Sequence, residues 1–167
     1  MKDSMKEQVI EMLKERGVSL DDIAYLAWEL QCPYNCDLTV DECKASLQRV
    51  LDKREILYPV LTGLVLDDLA QSGNLPEPLL SVIRRDEGLY GVDELIGLGI
   101  TNIYGSVGLT SFGYLDKMKK GILGEMNSSQ QDGGRVTTFL DDIVAALAAA
   151  ASARLAHQDC VKKEKVV

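Results

Sequence analysis

The sequence has no run of about 18 or more apolar residues, the length a membrane-crossing helix needs, and its start, Met1-Lys2-Asp3-Ser4-Met5-Lys6-Glu7, has no hydrophobic signal region. Both absences predict a cytosolic protein with no spanning segment and no export signal. There is no basic stripe either. The formal net charge is -8, which argues against a nucleic-acid binder and leaves any anionic ligand to be met by a few local cations or a metal ion. With one histidine, His157, and no nucleophile motif near it, Ser-His-Asp and Cys-His chemistry have little to build on. His157 reads as a cation at the C-terminal end of its helix. The four cysteines, Cys32, Cys36, Cys43 and Cys160, match no zinc-ribbon or redox spacing and read as small buried hydrophobes in a reducing compartment. Sustained strand-like alternation and internal repeats are also missing.

Helical patterning fills that gap. At 167 residues the chain is long enough for one domain with a real core. Ser4 opens a helix closed by Gly17. Ser19-Leu20-Asp21-Asp22 resembles a capping box for a helix from Asp22 to Gln31, ended by Cys32-Pro33. Thr39 caps a helix that continues towards Leu69, with Pro59 expected to kink or divide it. A short helix covers Leu79 to Arg85, and further ones begin near Asp93 and Leu109. Asn127 to Gly134 reads as a polar loop and Val161 to Val167 as a frayed tail. Glycines at 97 and 99 weaken a helix but allow close approach.

The segment from Thr138 to about His157 is apolar around its whole circumference and should sit at the centre of the fold. The expected architecture is all-α: a single-domain helical bundle over residues 1–160, with this helix surrounded by five or six others. Exposed apolar helices in such a bundle are compatible with a homo-oligomer.

Two adjacent aspartates, Asp141 and Asp142, stand near the start of the central helix. Either they are buried, and then must be protonated, hydrogen-bonded, paired or metal-bound, or they are first-turn charges behind a Thr137 or Thr138 N-cap, partly in water. Other acidic pairs look ordinary: Asp21-Asp22 and Asp41-Glu42 are capping charges, and Asp67-Asp68 reads as a wet helix face. Asp93-Glu94 repeats the unusual setting, opening an otherwise apolar helix, and Asp116 follows Tyr114-Leu115. Five carboxylates at apolar helix ends without matching buried arginines suit a hard divalent cation such as Mg²⁺. Separate first-turn charges on three helices are the alternative.

Three ordered segments carry a resemblance. Asp93-Glu94-Leu95-Ile96-Gly97, then Phe112-Gly113-Tyr114-Leu115-Asp116-Lys117-Met118-Lys119, then Gly133-Gly134 with Phe139-Leu140-Asp141-Asp142-Ile143-Val144-Ala145, are similar to the motifs of the phosphatidylglycerophosphatase A family, within residues 93–146. The whole chain is closer to the family's soluble, Firmicute-type branch, the low-temperature-requirement C proteins, with helices from Met5 to Gln71 where the family has a membrane-embedded portion. The resemblance implies a Mg²⁺-dependent phosphatase converting phosphatidylglycerophosphate to phosphatidylglycerol, or acting on a related phosphomonoester, with peripheral membrane contact. It implies that Asp93, Glu94, Asp141 and Asp142 are metal ligands or their orienters, that Asp116 ligates metal or positions water, and that Lys119 meets the phosphate. Gly113 stands where the family pattern has arginine, and Lys120 where it has proline; lysine does not reproduce arginine's bidentate phosphate clamp. Lys117 and Lys120 read as helix C-terminal cations. A non-catalytic helical regulatory or scaffold protein with structural carboxylates is the competing function.

Overall fold

A computed structural model describes residues 4–164, which form nine helices and no strand. Helix α1 is Met5–Glu15, α2 Leu20–Gln31, α3 Val40–Val50, α4 Arg54–Ser72, α5 Leu79–Arg84, α6 Val92–Asn102, α7 Gly105–Met118, α8 Ile122–Gln131 and α9 Leu140–Glu164. The first three begin as their sequences dictate. Ser4 with Glu7, Ser19 with Asp22 and Thr39 with Glu42 form reciprocal capping boxes that satisfy two otherwise orphaned backbone donors each.

Helix α9 is the axis of the molecule. Its side chains from Leu140 to Ala153 are all buried, including the Ala-rich run, and α2, α3, α4, α6, α7 and α8 pack directly against it. Small side chains let six helices approach one helix without leaving voids. Two glycines make the closest approaches between helices. A Cβ on Gly63 of α4 would lie 2.6 Å from Ile143 Cδ1 and 3.1 Å from Phe139 Cβ, and one on Gly97 of α6 would lie 2.5 Å from Phe112 Cζ.

Several expectations are corrected. The division between α3 and α4 falls at Leu51–Lys53, not at Pro59, which sits in the second turn of α4. So near a helix start, proline interrupts little of the backbone ladder. Asn127–Gln131 is helical, because the Gln130 side chain ties this polar helix end to the approach of α9: its Oε1 accepts from the Thr137 N–H and hydroxyl, and its amide donates to Thr138 Oγ1. Helix α7 starts at Gly105 rather than Leu109. Gly99 borders open space, so the close approach in α6 belongs to Gly97 alone. Helix α9 runs past His157, leaving this residue exposed and more than a turn short of the helix end, and continues through 161–164 where a frayed tail was expected. Residues 165–167 and the Cys160 side chain lie outside the described residues. Cys43 is buried, with its thiol pushed up to about 11 by that burial, but Cys36 is exposed in the turn after α2.

Candidate active site

The start of α9 faces a small cleft of about 140 Å³. Asp141 and Asp142 come from the first turn of α9, Asp93 and Glu94 from the first turn of α6, and Asp116 from the last turn of α7. Lys119 comes from the α7 C-cap, and Asp86 and Glu87 from the loop after α5. All six residues singled out in the sequence therefore line one cavity, together with two acidic residues that were not. Seven carboxylates face one ammonium. A roomier groove of about 690 Å³ between α2, α7 and α9 has walls that include Leu30, Tyr34, Val107 and Tyr114, but its only ionised groups are Glu29 and Asp159. Chemistry points to the smaller cleft.

Lys119 Nζ donates to Asp116 Oδ1 and to Asp141 Oδ2, both at 2.8 Å. The other Asp141 oxygen accepts the Asp142 backbone N–H at 2.9 Å. Burial disfavours the Lys119 charge, yet the adjacent Asp141 and Asp116 outweigh it and hold its pKa above the usual lysine range. Asp141 is raised to about 6, by burial first and against the pull of Lys119. Asp142 is 3% exposed, forms no ion pair among the described residues, and is raised by burial and by the neighbouring Asp141. Asp93 is raised by burial, and its Oδ1 is buried with no hydrogen-bond partner. The single lysine thus compensates two of the carboxylates and leaves Asp142 and Asp93 without a cation.

Backbone strain gathers at the same place. Among the described residues only Asp86 (φ 50°) and Lys119 (φ 46°) are non-glycine residues in the left-handed region, and both line the cleft. Asp86 is raised by burial, with Lys119 lowering and Asp116 raising it. Tyr90 anchors the 86–91 loop edge-on against Phe139, ring centroids 6.0 Å apart.

The cap of α9 is the residue that sequence reasoning placed on a wet face. Asp67 of α4 is fully buried and accepts the backbone N–H groups of Phe139, at 3.1 and 3.2 Å, and Leu140, at 2.9 Å. Neither threonine caps the helix: Thr138 donates its hydroxyl to the Ile83 carbonyl, and both are engaged by Gln130. Burial raises Asp67 to about 7 in spite of these bonds. Its neighbour Asp68 does reach the surface, where it pairs with Arg16. Helical periodicity could not reveal the cap, because donor and acceptor are about 70 positions apart; the only signal was an acidic residue on the apolar side of α4.

Donor type, buried charge and the orphaned Asp93 oxygen fit a hard divalent cation. Among the described residues no three of these side chains stand close enough, as they are turned here, to enclose a metal ion. Lys119 Nζ stands between the Asp116 and Asp141 carboxylates and bonds both. Of the two departures from the motif, Gly113 lies one turn before Asp116 with open space beyond its Cα, and Lys120 extends over the Tyr114 ring, 5.2 Å from its centroid.

An all-helical bundle whose central helix delivers an acidic pair into a carboxylate-lined cleft, with one lysine at its edge, defines the class of protein. The chain belongs to the phosphatidylglycerophosphatase A family, whose model matches residues 9–157. It is 54% identical over 157 residues to the uncharacterized protein YpjQ of Bacillus subtilis (strain 168), covering 93% of this chain and 87% of that protein. Among solved structures, the low temperature requirement C protein from Listeria monocytogenes superposes with a TM-score of 0.89 at 49% identity, covering 95% of this chain and 98% of that one. A protein of unknown function from Bacillus stearothermophilus gives 0.89 at 51%, covering 95% and 97%. Among the described residues no helix is long and apolar enough to cross a membrane.

Proposed function

We propose that this chain is a divalent-cation-dependent phosphatase that removes the terminal phosphate of phosphatidylglycerophosphate or a closely related phosphomonoester. The observation that carries the reading is the meeting of Asp93, Glu94, Asp116, Asp141, Asp142 and Lys119 in one cleft, with more negative charge than the protein itself neutralises. Family membership favours the same chemistry.

Asp93, Glu94, Asp141 and Asp142 would hold the cation. When bound, it would offset charge on phosphoryl oxygens and lower the pKa of a water. The protein's own contribution is placement. The N-terminal ends of α6 and α9 both face the cleft, and their helix dipoles favour negative charge there. Lys119 is within reach of the space between Asp116 and Asp141, and it would exchange a carboxylate for a phosphoryl oxygen as substrate enters, offsetting the charge that develops there. Asp116, released from Lys119, would accept a hydrogen bond from the attacking water and orient it. A purely structural role explains the Lys119 pairs but leaves the Asp142 carboxyl buried without an ion pair among the described residues and one Asp93 oxygen buried without a hydrogen-bond partner. Inorganic phosphate released from phosphatidylglycerophosphate with Mg²⁺, and lost on adding EDTA, tests the reading.

A further inference from the structure

Asp86 and Lys119, the two cleft residues with left-handed backbone, stand at positions that favour glycine. Asp86 closes α5. Its N–H donates to the Ile83 carbonyl and the Glu87 N–H reaches back to the Val82 carbonyl, both at 3.2 Å, the paired helix ending whose left-handed position is normally glycine. Nothing in that ending uses the Asp86 side chain. Glycine would make the same turn with less strain, yet the chain keeps an aspartate there, and that aspartate lines the cleft and is exposed at its rim. Strain of this kind persists where a side chain serves a site. The 86–90 segment is held at both ends, by the α5 closure and by Tyr90 packed edge-on against Phe139.

No protein cation is bonded to Asp86. Asp93, Asp116, Asp141 and Lys119 all lie within electrostatic reach of it. Lys119, the one ammonium, is already bonded to Asp116 and Asp141, and Asp86 forms no salt bridge among the described residues. Arg84 and Arg85, next to it in the chain, donate instead to the carbonyls of Ala70, Gln71 and Ser81. Asp142 points to a cation independently of the turn. It is 3% exposed, lines the cleft, and its carboxyl has no hydrogen bond or ion pair among the described residues; Asp93 Oδ1 is buried without a partner. Buried carboxyl oxygens without donors call for a positive ligand. All the acidic groups offer carboxylate oxygen, and a cleft of about 140 Å³ suits a small hard ion with its waters and not an organic cation.

We propose that Asp86 is a further cation-holding residue of this cleft, and that its left-handed backbone is retained for that side chain. It adds, from the loop after α5, a carboxylate at the rim to those that α6 and α9 supply. The three motif segments begin at Asp93, so Asp86 lies outside them. The assignment rests on the reading of the cleft as a divalent-cation site; it does not depend on which reaction the cation serves.

Titration of the full chain with Mn²⁺, with the free ion followed by electron paramagnetic resonance, tests this without turnover. The wild type should bind Mn²⁺, and both Asp86→Asn and Asp86→Gly should bind it about tenfold or more weakly, because the affinity of a carboxylate site follows its ligand charge. Asparagine tolerates the left-handed turn and isolates the charge; glycine removes the strain as well. Asp132→Asn, at an exposed acid ending α8, makes the same change in net charge away from the cleft and should keep wild-type affinity. In EDTA, Asp86→Gly should melt at the wild-type temperature or higher, since the turn gains its preferred residue and one of several like charges is gone. Unchanged Mn²⁺ affinity in both Asp86 variants overturns the proposal. So does an equal loss in Asp132→Asn, a clear fall in the melting temperature of Asp86→Gly, or a wild type that binds no Mn²⁺. The phosphatase reading fails separately. Mn²⁺ lost from Asp142→Asn but retained by the Asp86 variants overturns the proposal and leaves that reading in place. Mn²⁺ held through Asp86, with no phosphate released from phosphatidylglycerophosphate, overturns the reading and leaves the assignment.

Discussion

The buried carboxylate of Asp67 accepts the backbone N–H of Leu140 at 2.9 Å, so a residue of α4 terminates the helix that carries Asp141 and Asp142 into the cleft. The contact joins stability to site geometry, because the capped turn and the acidic pair are consecutive in the chain.

Asp67→Ala should therefore destabilise the fold by about 1–3 kcal/mol, the range for leaving buried donors unsatisfied, since the Phe139 and Leu140 N–H groups lose their shared acceptor. Asp67→Asn, which keeps one acceptor oxygen, should cost less. Chemical denaturation of the three proteins checks the order; equal stability of wild type and Asp67→Ala would contradict it.

Gly97 and Gly99, two positions apart on α6, should respond with opposite sign to alanine. Gly97→Ala drives a methyl into the Phe112 ring and should cost about 1–3 kcal/mol, whereas Gly99→Ala meets open space and should gain up to about 1 kcal/mol from helix propensity. Melting temperatures of the two variants decide this.

In the absence of divalent cations, stability should fall as pH rises from about 5 to 8. Asp67 (about 7), Asp141 (about 6) and Asp142 all titrate above the ordinary aspartate value near 3.9, because burial disfavours their charged forms. Between those limits the folded state holds protons that the unfolded chain has released, so the slope of unfolding free energy with pH is negative. This stabilisation is fully present below about pH 4 and is lost as pH passes each folded-state pKa. Asp52, lowered by its bond to Lys6, contributes in the opposite direction, but only at the acid end. Thermal melts in EDTA across this range test the sign, and a rise in melting temperature would contradict it.

The sequence displayed what depends on neighbours in the chain. The three capping boxes, the encircled α9 and the unusual setting of Asp93-Glu94 and Asp141-Asp142 follow from local spacing and from apolar residues on every side. What it hid depends on distant pairing. Asp67 looked like one half of a solvated acidic pair until α4 crossed the start of α9. Gln130 looked like loop composition until Thr137 and Thr138 folded back onto it. Asp86 entered the cleft through a left-handed turn that no periodicity marks.

Asp142→Asn separates a catalytic from a structural carboxylate. Removing one of several crowded acids should leave the melting temperature in EDTA at pH 8 unchanged or higher, while phosphatase activity falls by orders of magnitude. A clear fall in that melting temperature would mark Asp142 as a structural group.

Inorganic phosphate release from phosphatidylglycerophosphate, assayed with Mg²⁺ for wild type and Asp142→Asn, each with and without excess EDTA, decides whether the cleft is catalytic. A cation-dependent phosphatase gives turnover by the wild type with Mg²⁺ alone and near-background release in the other three reactions. No release by the wild type with any divalent ion, or release that persists in EDTA, would contradict it.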